Sequence, residues 1–314
     1  MTRYVLWLVT AAVLATGTPS LAQLRTVTVK TPDGVHVAVQ EWGNREGPDI
    51  LFIHGFSQSH LSWTKQVLSD LAQTFHMVTY DIRGHGQSDK PLDAVFYTES
   101  HRWADEVMAV MEATDLRRPV LVGWSFGGRI ISDYLMKYGD EGIAGIEYVS
   151  ALTNRELNAD SPALKVTAGM ASDNLTTNLE STRAFVRLCF ARPPTQDEFE
   201  TVVGFNMMTP AKVRGYMRTR ATPYEATLKG LTVPVLVTHG EEDQVVLAAV
   251  GRYTLKTVPG AKGSFYRGIG HSPFWEDSKR FNEELAEFVK LAKPPVHSSL
   301  LPIPSTGRGT AKQQ

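Results

Sequence analysis

The sequence has little of several features that would point to particular classes of protein. Its 314 residues include a single cysteine, Cys189, so no disulfide can form within the chain. That cysteine lies in the apolar run 185–190, where packing as a small hydrophobic side chain is the more common role. The 32 Lys and Arg residues nearly balance the 33 Asp and Glu residues, which leaves no positive excess for nucleic acid. We therefore expect neither a disulfide framework nor a nucleic-acid partner.

No apolar run reaches the roughly 20 residues that span a bilayer. Residues 1–22 instead follow the pattern of a secretory signal peptide, with a positive charge at Arg3, an apolar stretch from Tyr4 to Ala15 and small residues before Ala22. An uncleaved anchor would need a longer run. The sequence thus predicts cleavage after Ala22 and a secreted or periplasmic product without a membrane span. Residues 293–314, rich in Pro, Ser, Gly and Lys, are predicted to be a disordered tail.

Strand-like and helix-like stretches alternate along most of the remaining chain. Residues 24–31 and 35–42 predict a β-hairpin, and further strands are predicted at 50–53, 75–80, 119–123, 143–149, 233–238 and 264–269. Helical spacing occurs at 61–72, 98–114, 126–137 and 274–291. This alternation predicts an α/β fold with a mostly parallel eight-stranded sheet, flanked by helices, that binds ligands at the carboxyl ends of its strands.

The alternation stops between about residues 151 and 230, where helical patterns occur at 175–190, 196–208 and 211–220. A segment of this length is not a simple loop. We expect residues 151–230 to form a helical cap inserted into a core made of residues 23–150 and 231–292. Four methionines in the cap, Met170, Met207, Met208 and Met217, allow two interpretations, an apolar pocket wall or ordinary packing.

Residues 119–130 carry the most informative motif. Gly123 and Gly127 flank Ser125 in a Gly-x-Ser-x-Gly pattern between a predicted strand and a predicted helix. In this setting the pattern predicts a tight turn that strains the serine backbone and lifts its hydroxyl above the sheet. Glycine is needed on both sides because strand and helix approach closely there. A glycine-flanked serine can also be an ordinary turn, so the interpretation depends on partners elsewhere in the chain.

Two later residues supply those partners. A serine hydroxyl is a poor nucleophile at neutral pH and needs a base, which in turn needs an orienting group. Asp243 and His271 each follow a later predicted strand, and the chain order Ser, Asp, His is the one expected with an elbow serine. We predict Ser125 as nucleophile, Asp243 as acid and His271 as base. Glu241 and Glu242 remain alternatives for the acid.

The tetrahedral intermediate of such a reaction also needs hydrogen-bond donors. We predict the backbone N–H groups of Phe126 and of Phe56, which follows Gly55 at the end of a strand, as the oxyanion hole. The side chains of Phe56, Trp124 and Phe126 are predicted to bind substrate. His54, beside the glycine, is expected to brace the loop through hydrogen bonds.

A polar turn at residues 81–89, DIRGHGQSD, contains His and Asp residues that could suggest a metal site. Its spacing matches no metal-binding pattern, so we predict no metal. We expect a turn bonded to itself, with Arg83 and Asp89 as candidate internal partners.

Together these motifs make residues 26–291 similar to the α/β-hydrolase superfamily. The likeness is greatest to carboxylesterase-like and cofactor-free haloperoxidase-like members that have a helical cap. The matching stretches are residues 54–56, 81–89, 123–128, 239–243 and 270–273. The resemblance implies the same triad, Ser125, Asp243 and His271, the same oxyanion donors, Phe56 and Phe126, and no cofactor. Serine at the elbow argues against haloalkane dehalogenases and epoxide hydrolases, whose alkyl–enzyme ester requires an aspartate.

The expected function is hydrolysis of a small to medium carboxylic ester through an acyl-serine intermediate, with a small molecule as the substrate. Three alternatives keep the triad and change the reaction: cleavage of a carbon–carbon bond, hydrolysis of a lactone or amide, and perhydrolysis. A further alternative is a ligand-binding protein that has the fold without the chemistry.

Overall fold

Eight strands form one sheet in residues 23–292, the part of the chain that this computed structural model describes. The strands are β1 Gln23–Lys30, β2 His36–Gly43, β3 Asp49–Ile53, β4 His76–Tyr80, β5 Val120–Trp124, β6 Gly145–Val149, β7 Val235–Gly240 and β8 Lys262–Tyr266. The predicted signal peptide, residues 1–22, and the predicted tail, residues 293–314, lie outside the described residues.

The sheet is mostly parallel. Its strand order is β1-β2-β4-β3-β5-β6-β7-β8, and β2 pairs antiparallel with both β1 and β4. Every other neighbouring pair is parallel. This topology confirms the predicted fold class and brings the carboxyl ends of β3, β5, β7 and β8 to one edge of the sheet.

Thirteen α-helices accompany these strands within residues 23–292. Those before β6 are α1 Thr64–Val67, α2 Leu71–Thr74, α3 Val95–Thr98, α4 Ser100–Ala113 and α5 Phe126–Tyr138. Between β6 and β7 lie α6 Ala163–Met170, α7 Leu175–Leu188, α8 Gln196–Met207, α9 Ala211–Met217 and α10 Glu225–Lys229, in the segment expected to form the cap. The last three are α11 Ala248–Thr257, α12 Pro273–Glu276 and α13 Ser278–Leu291. None of these described helices combines the length and hydropathy needed to cross a membrane.

The sheet is buried on both faces because successive side chains of a strand point in opposite directions. In β3, Leu51 belongs to the core cluster that includes residues of α4 and α5, whereas Phe52 belongs to the cluster that includes residues of α12 and α13. Both side chains have no solvent exposure. Because helices cover both faces of the sheet, side chains on both sides of a strand such as β3 are apolar, which explains its continuous apolar sequence.

Several predicted elements differ from the observed ones in their bounds, and two of these differences have a clear local cause. The single helix expected at 61–72 is instead a 3-10 turn, His60–Trp63, followed by α1 and α2. Ser69 interrupts it, because its hydroxyl donates to the Gln66 carbonyl at 2.7 Å and accepts from the Leu71 N–H at 3.2 Å. The last strand ends at Tyr266 rather than at residue 269, since Gly268 turns the chain with a φ of 69°.

Candidate active site

Ser125 occupies the sharp turn between β5 and α5 with φ 56° and ψ −112°. Positive φ at a serine is strained, and the surroundings hold it there. Its N–H donates to the Val149 carbonyl at 2.9 Å. A Cβ on Gly127 would lie 2.2 Å from the Ile53 carbonyl oxygen, and one on Gly123 would lie 2.9 Å from the Gly127 carbonyl carbon. Neither glycine position can accept a side chain, as the motif predicted.

His271 and Asp243 meet beside this edge of the sheet. Nδ1 of His271 lies 2.7 Å from Oδ2 of Asp243, and both side chains are buried. The other carboxylate oxygen, Oδ1, accepts from the N–H groups of Val245 and Val246 at 2.8 and 2.9 Å. These two backbone bonds fix the carboxylate, which in turn orients the imidazole.

A second histidine, His239, contacts the same carboxylate. Its Nε2 lies 3.2 Å from Oδ2 of Asp243 and 2.8 Å from the Val246 carbonyl. Burial alone would raise the pKa of Asp243, but the charge and hydrogen bonds of His271 and His239 outweigh burial and hold this pKa well below its usual range. The acid is therefore ionised at neutral pH. Sequence reasoning missed His239, although its place at the end of a strand, four residues before the acid, was a usable signal.

The two alternative acids point elsewhere. Glu241 and Glu242 are both exposed, and Glu241 pairs with Arg252 at 3.2 Å. Of the three neighbouring carboxylates, Asp243 is the one that the structure places against His271.

The predicted oxyanion donors lie next to Ser125. A Cβ on Gly55 would be 3.1 Å from the Ser125 Cβ, so the loop that carries Phe56 runs against the serine. Phe126 is the first residue of α5. Within residues 23–292, no hydrogen bond occupies the N–H of Phe56 or Phe126, so both remain free to bind an oxyanion.

His54 braces the Phe56 loop, as predicted. Its Nδ1 donates to the Gly55 carbonyl at 2.8 Å, and its Nε2 accepts from the Ile82 N–H at 3.1 Å. Burial lowers the pKa of His54 to about 4, which keeps the ring neutral. With both nitrogens engaged, His54 is not a second base.

The polar turn at 81–89 is structural, but its predicted pairing is wrong. Arg83 is buried and binds Glu106 and Asp33, each at 2.7 Å, rather than Asp89. Asp89 is exposed and accepts from the His36 N–H at 2.8 Å. No group of three or more potential metal-ligating side chains capable of holding an ion occurs among the described residues.

A cavity of about 100 Å³ opens beside Ser125 and the cap segment. Its apolar walls include Phe56, Phe126, Phe185 and Met217. A larger cleft of about 740 Å³ lies at the amino ends of the strands, around Asp49, and contains none of the groups described above. Because parallel sheets bind ligands at the carboxyl ends of their strands, the smaller cavity is the candidate site.

Comparison with known proteins agrees with this geometry. Residues 48–278 match the family model described as alpha/beta hydrolase fold. The chain belongs to the alpha/beta hydrolase family.

Three relatives illustrate the similarity. A bifunctional esterase/perhydrolase from Acinetobacter calcoaceticus is 30% identical, over 83% of this chain and 99% of that protein. The solved structure of a putative aryl esterase from Burkholderia cenocepacia is 40% identical, with a TM-score of 0.81 over 85% of this chain and 99% of that one. The esterase RhEst1 from Rhodococcus sp. ECU1013 is 31% identical, with a TM-score of 0.80 over the same shares. The chain is thus an α/β-hydrolase enzyme that resembles esterases along its whole core.

Trp124 has a different place in this α/β-hydrolase from the one predicted. Strand alternation turns it away from the cavity, toward the face that α12 and α13 cover. Its Nε1 donates to the His271 carbonyl at 2.8 Å, and its ring lies 4.8 Å from that of Phe274. Trp124 therefore supports the loop that carries His271 and does not line the cavity. Phe56 and Phe126, the other two predicted substrate contacts, do line it.

The cap methionines divide between the two interpretations. Met217 lines the cavity of the α/β-hydrolase, whereas Met170 is buried in a cluster with Phe185. Met207 packs against another cap cluster, and Met208 is exposed. Cys189 is buried, and burial raises the pKa of its thiol, as expected of a packing residue.

Proposed function

We propose that this enzyme cleaves a small to medium carboxylic ester through an acyl-Ser125 intermediate. The observation that carries the proposal is the buried 2.7 Å contact between His271 and Asp243, at the sheet edge that also presents Ser125 in its strained turn. The similarity to a putative aryl esterase and to RhEst1 supports an ester as the substrate.

The assigned roles follow from the tautomer of His271. Because Nδ1 donates its proton to Asp243, the neutral ring has a free lone pair on Nε2. Nε2 takes the proton of Ser125 Oγ as the oxygen attacks the ester carbonyl, and then gives it to the leaving alkoxide. Water, deprotonated by the same nitrogen, hydrolyses the acyl-serine and restores the hydroxyl. Acylation and deacylation each pass through a tetrahedral intermediate with a negatively charged oxygen. The N–H groups of Phe56 and Phe126 donate hydrogen bonds to that oxygen in both steps.

The cavity limits the size of the substrate. At about 100 Å³ it is smaller than the roughly 300–1,000 Å³ of sites for drug-sized ligands, which favours a short acyl group. Aromatic and aliphatic side chains make up most of the cavity lining, and they suit a hydrocarbon chain.

Perhydrolysis is the second candidate activity, because the Acinetobacter relative is described as both esterase and perhydrolase. The same acyl-serine would then react with hydrogen peroxide in place of water. The products are a peracid and the free serine, so the reaction uses no additional group on the protein.

We also propose that the enzyme works outside the cytoplasm. The support is the pattern of Arg3, the apolar stretch and the small residues ending at Ala22. Expression of the full chain followed by fractionation and N-terminal sequencing tests this, and the expected first residue of the exported form is Gln23.

Turnover of p-nitrophenyl acetate, butyrate and octanoate by wild type and by Ser125→Ala tests the ester hydrolase proposal. We expect rates that fall with acyl length and a loss of turnover in the variant. Labelling of wild type alone by a fluorophosphonate would identify the nucleophile, and equal turnover by both proteins would refute the mechanism. Adding hydrogen peroxide and measuring peracid distinguishes perhydrolysis.

A further inference from the structure

Three arginines line the cavity beside Ser125, although no Asp or Glu does. They are Arg129 on α5, Arg155 in the segment after β6, and Arg218 just after α9. Within residues 23–292, none of the three forms an ion pair with a carboxylate. Nearby arginines do pair: Arg220 binds Asp133 at 2.6 Å. The absence of acidic partners is therefore a property of this cavity and not of the region.

The three guanidinium groups are held by neutral acceptors. Nη2 of Arg129 donates to the carbonyls of Arg220 and Ala221 at 2.7 and 2.8 Å, and Nη1 of Arg155 donates to the Arg220 carbonyl at 3.2 Å. These carbonyls fix the position of the two side chains. Neither guanidinium has a carboxylate in direct contact within residues 23–292, although the charge of Asp133, which pairs with Arg220, also acts on Arg129. Arg129 is buried, so its charge is weakly screened by water.

Arg218 completes the group of cavity-lining arginines. Its Nε donates to Thr167 Oγ1 and its Nη2 to the Leu164 carbonyl, both at 3.2 Å. Partial burial lowers the pKa of Arg218, and the neighbouring charge of Arg155 lowers it further. Arg155 and Arg218 line the same cavity, so an anion bound there would be attracted by both charges.

We propose that the cavity selects esters that carry a free carboxylate at a distance from the scissile bond, such as monoesters of dicarboxylic acids. The carboxylate would contact Arg155 and Arg218 while the ester carbonyl lies at Ser125. Guanidinium groups match carboxylates in geometry as well as charge, through paired N–H donors. This inference rests on the proposed ester hydrolysis and adds the class of its substrate.

The test compares monomethyl adipate with methyl hexanoate, which has a similar chain length and no charge. The double variant Arg155→Gln/Arg218→Gln is assayed beside wild type and the control Arg187→Gln, which removes an exposed charge of α7 outside the cavity. We expect the ratio of kcat/KM for the charged over the neutral ester to fall about tenfold or more in the double variant. The control should keep the wild-type ratio. An unchanged ratio in a double variant with wild-type Tm would overturn the inference.

Binding to Ser125→Ala separates this inference from the catalytic proposal. Calorimetry should show tighter binding of monomethyl adipate than of methyl hexanoate, and the advantage should disappear when Arg155→Gln/Arg218→Gln is added. Equal binding of both esters would overturn the inference whatever the wild type hydrolyses. If the wild type hydrolyses none of monomethyl adipate, methyl hexanoate and p-nitrophenyl acetate, the proposal of ester hydrolysis is refuted. The binding measurement would then still show whether the arginines bind a carboxylate.

Discussion

Replacing Asp243 by asparagine would turn a hydrogen-bond acceptor into a donor at the atom that faces His271. The amide oxygen can still accept from the N–H groups of Val245 and Val246, which now bind Oδ1 at 2.8 and 2.9 Å. The amide nitrogen then takes the place of Oδ2 and donates to Nδ1 of His271. The proton of the neutral ring moves to Nε2, which can no longer accept a proton from Ser125.

The expected loss has two parts. Removing a charge that interacts with the imidazolium at about 4 Å costs roughly 4 kcal/mol at an effective dielectric constant of about 20. Restoring the productive tautomer against the amide donor costs about 1–3 kcal/mol more. Together these predict a fall in kcat of about 10⁴-fold or more.

The assay is kcat for p-nitrophenyl acetate at pH 7.5, with Glu242→Gln as the control. This control removes the same charge from an exposed neighbour of Asp243 and should retain wild-type activity. A Tm measurement on both variants checks that they are folded. Asp243→Asn would contradict this tautomer mechanism by keeping more than about a tenth of wild-type kcat, and so would a control that loses as much activity as Asp243→Asn.

Three further predictions concern the supports of the site. Glu147 is buried in β6, and burial raises its pKa to about 8. The folded protein therefore becomes less stable as the pH rises from 4.5 to 8, because the buried carboxyl must lose its proton. Glu147→Gln, which stays neutral, should raise the Tm at pH 8 and not at pH 4.5. A similar shift at both values would contradict this. Gly127→Ala should lower the Tm by several degrees, because its Cβ would lie 2.2 Å from the last carbonyl of β3. The control Gly204→Ala has no atom within 4 Å of its added Cβ and should not be destabilised. Arg214 Nε donates to Ser57 Oγ at 2.9 Å and so positions the loop after Phe56. Arg214→Lys should therefore lower kcat about tenfold with KM nearly constant. An unchanged kcat would exclude this positioning role.

Arg214 also shows how the cap segment is connected to the core. It is buried, and no carboxylate among residues 23–292 pairs with it. Its Nη1 donates to Asn178 Oδ1 in α7 at 2.7 Å, and its Nε donates to Ser57 Oγ. Burial lowers the pKa of Arg214 to about 10, which leaves it charged at neutral pH. Arg214 thus links α7 to Ser57, the residue after the predicted oxyanion donor Phe56.

The elements and the strained turn at Ser125 could be predicted because their signals are local. Gly123 and Gly127 are close in sequence to Ser125, and the steric reason for them lies within one strand, one turn and one helix. The alternation of apolar strands and amphipathic helices is likewise a local pattern, because it depends on which faces of each element are buried. It was enough to predict the fold class. Ser125, Asp243 and His271 each follow a different predicted strand. Because a parallel sheet brings the carboxyl ends of its strands to one edge, their positions predicted that the three side chains lie near one another.

Contacts between elements distant in sequence were decided only by the tertiary structure. Trp124 was expected in the cavity because it adjoins Ser125, but the pleat of β5 directs it toward Phe274 on the opposite face. Arg83 was expected to pair within its own turn, yet Glu106 on α4 lies nearer to its guanidinium. The contact of Asp243 with His271, and the presence of Arg155 and Arg218 in one cavity, depend in the same way on how the strand ends and the helices between β6 and β7 pack. Local patterns in the chain thus showed which side chains have reactive chemistry. The packing of the sheet against its helices showed which of them meet, because the direction of a side chain depends on long-range contacts that no short pattern contains.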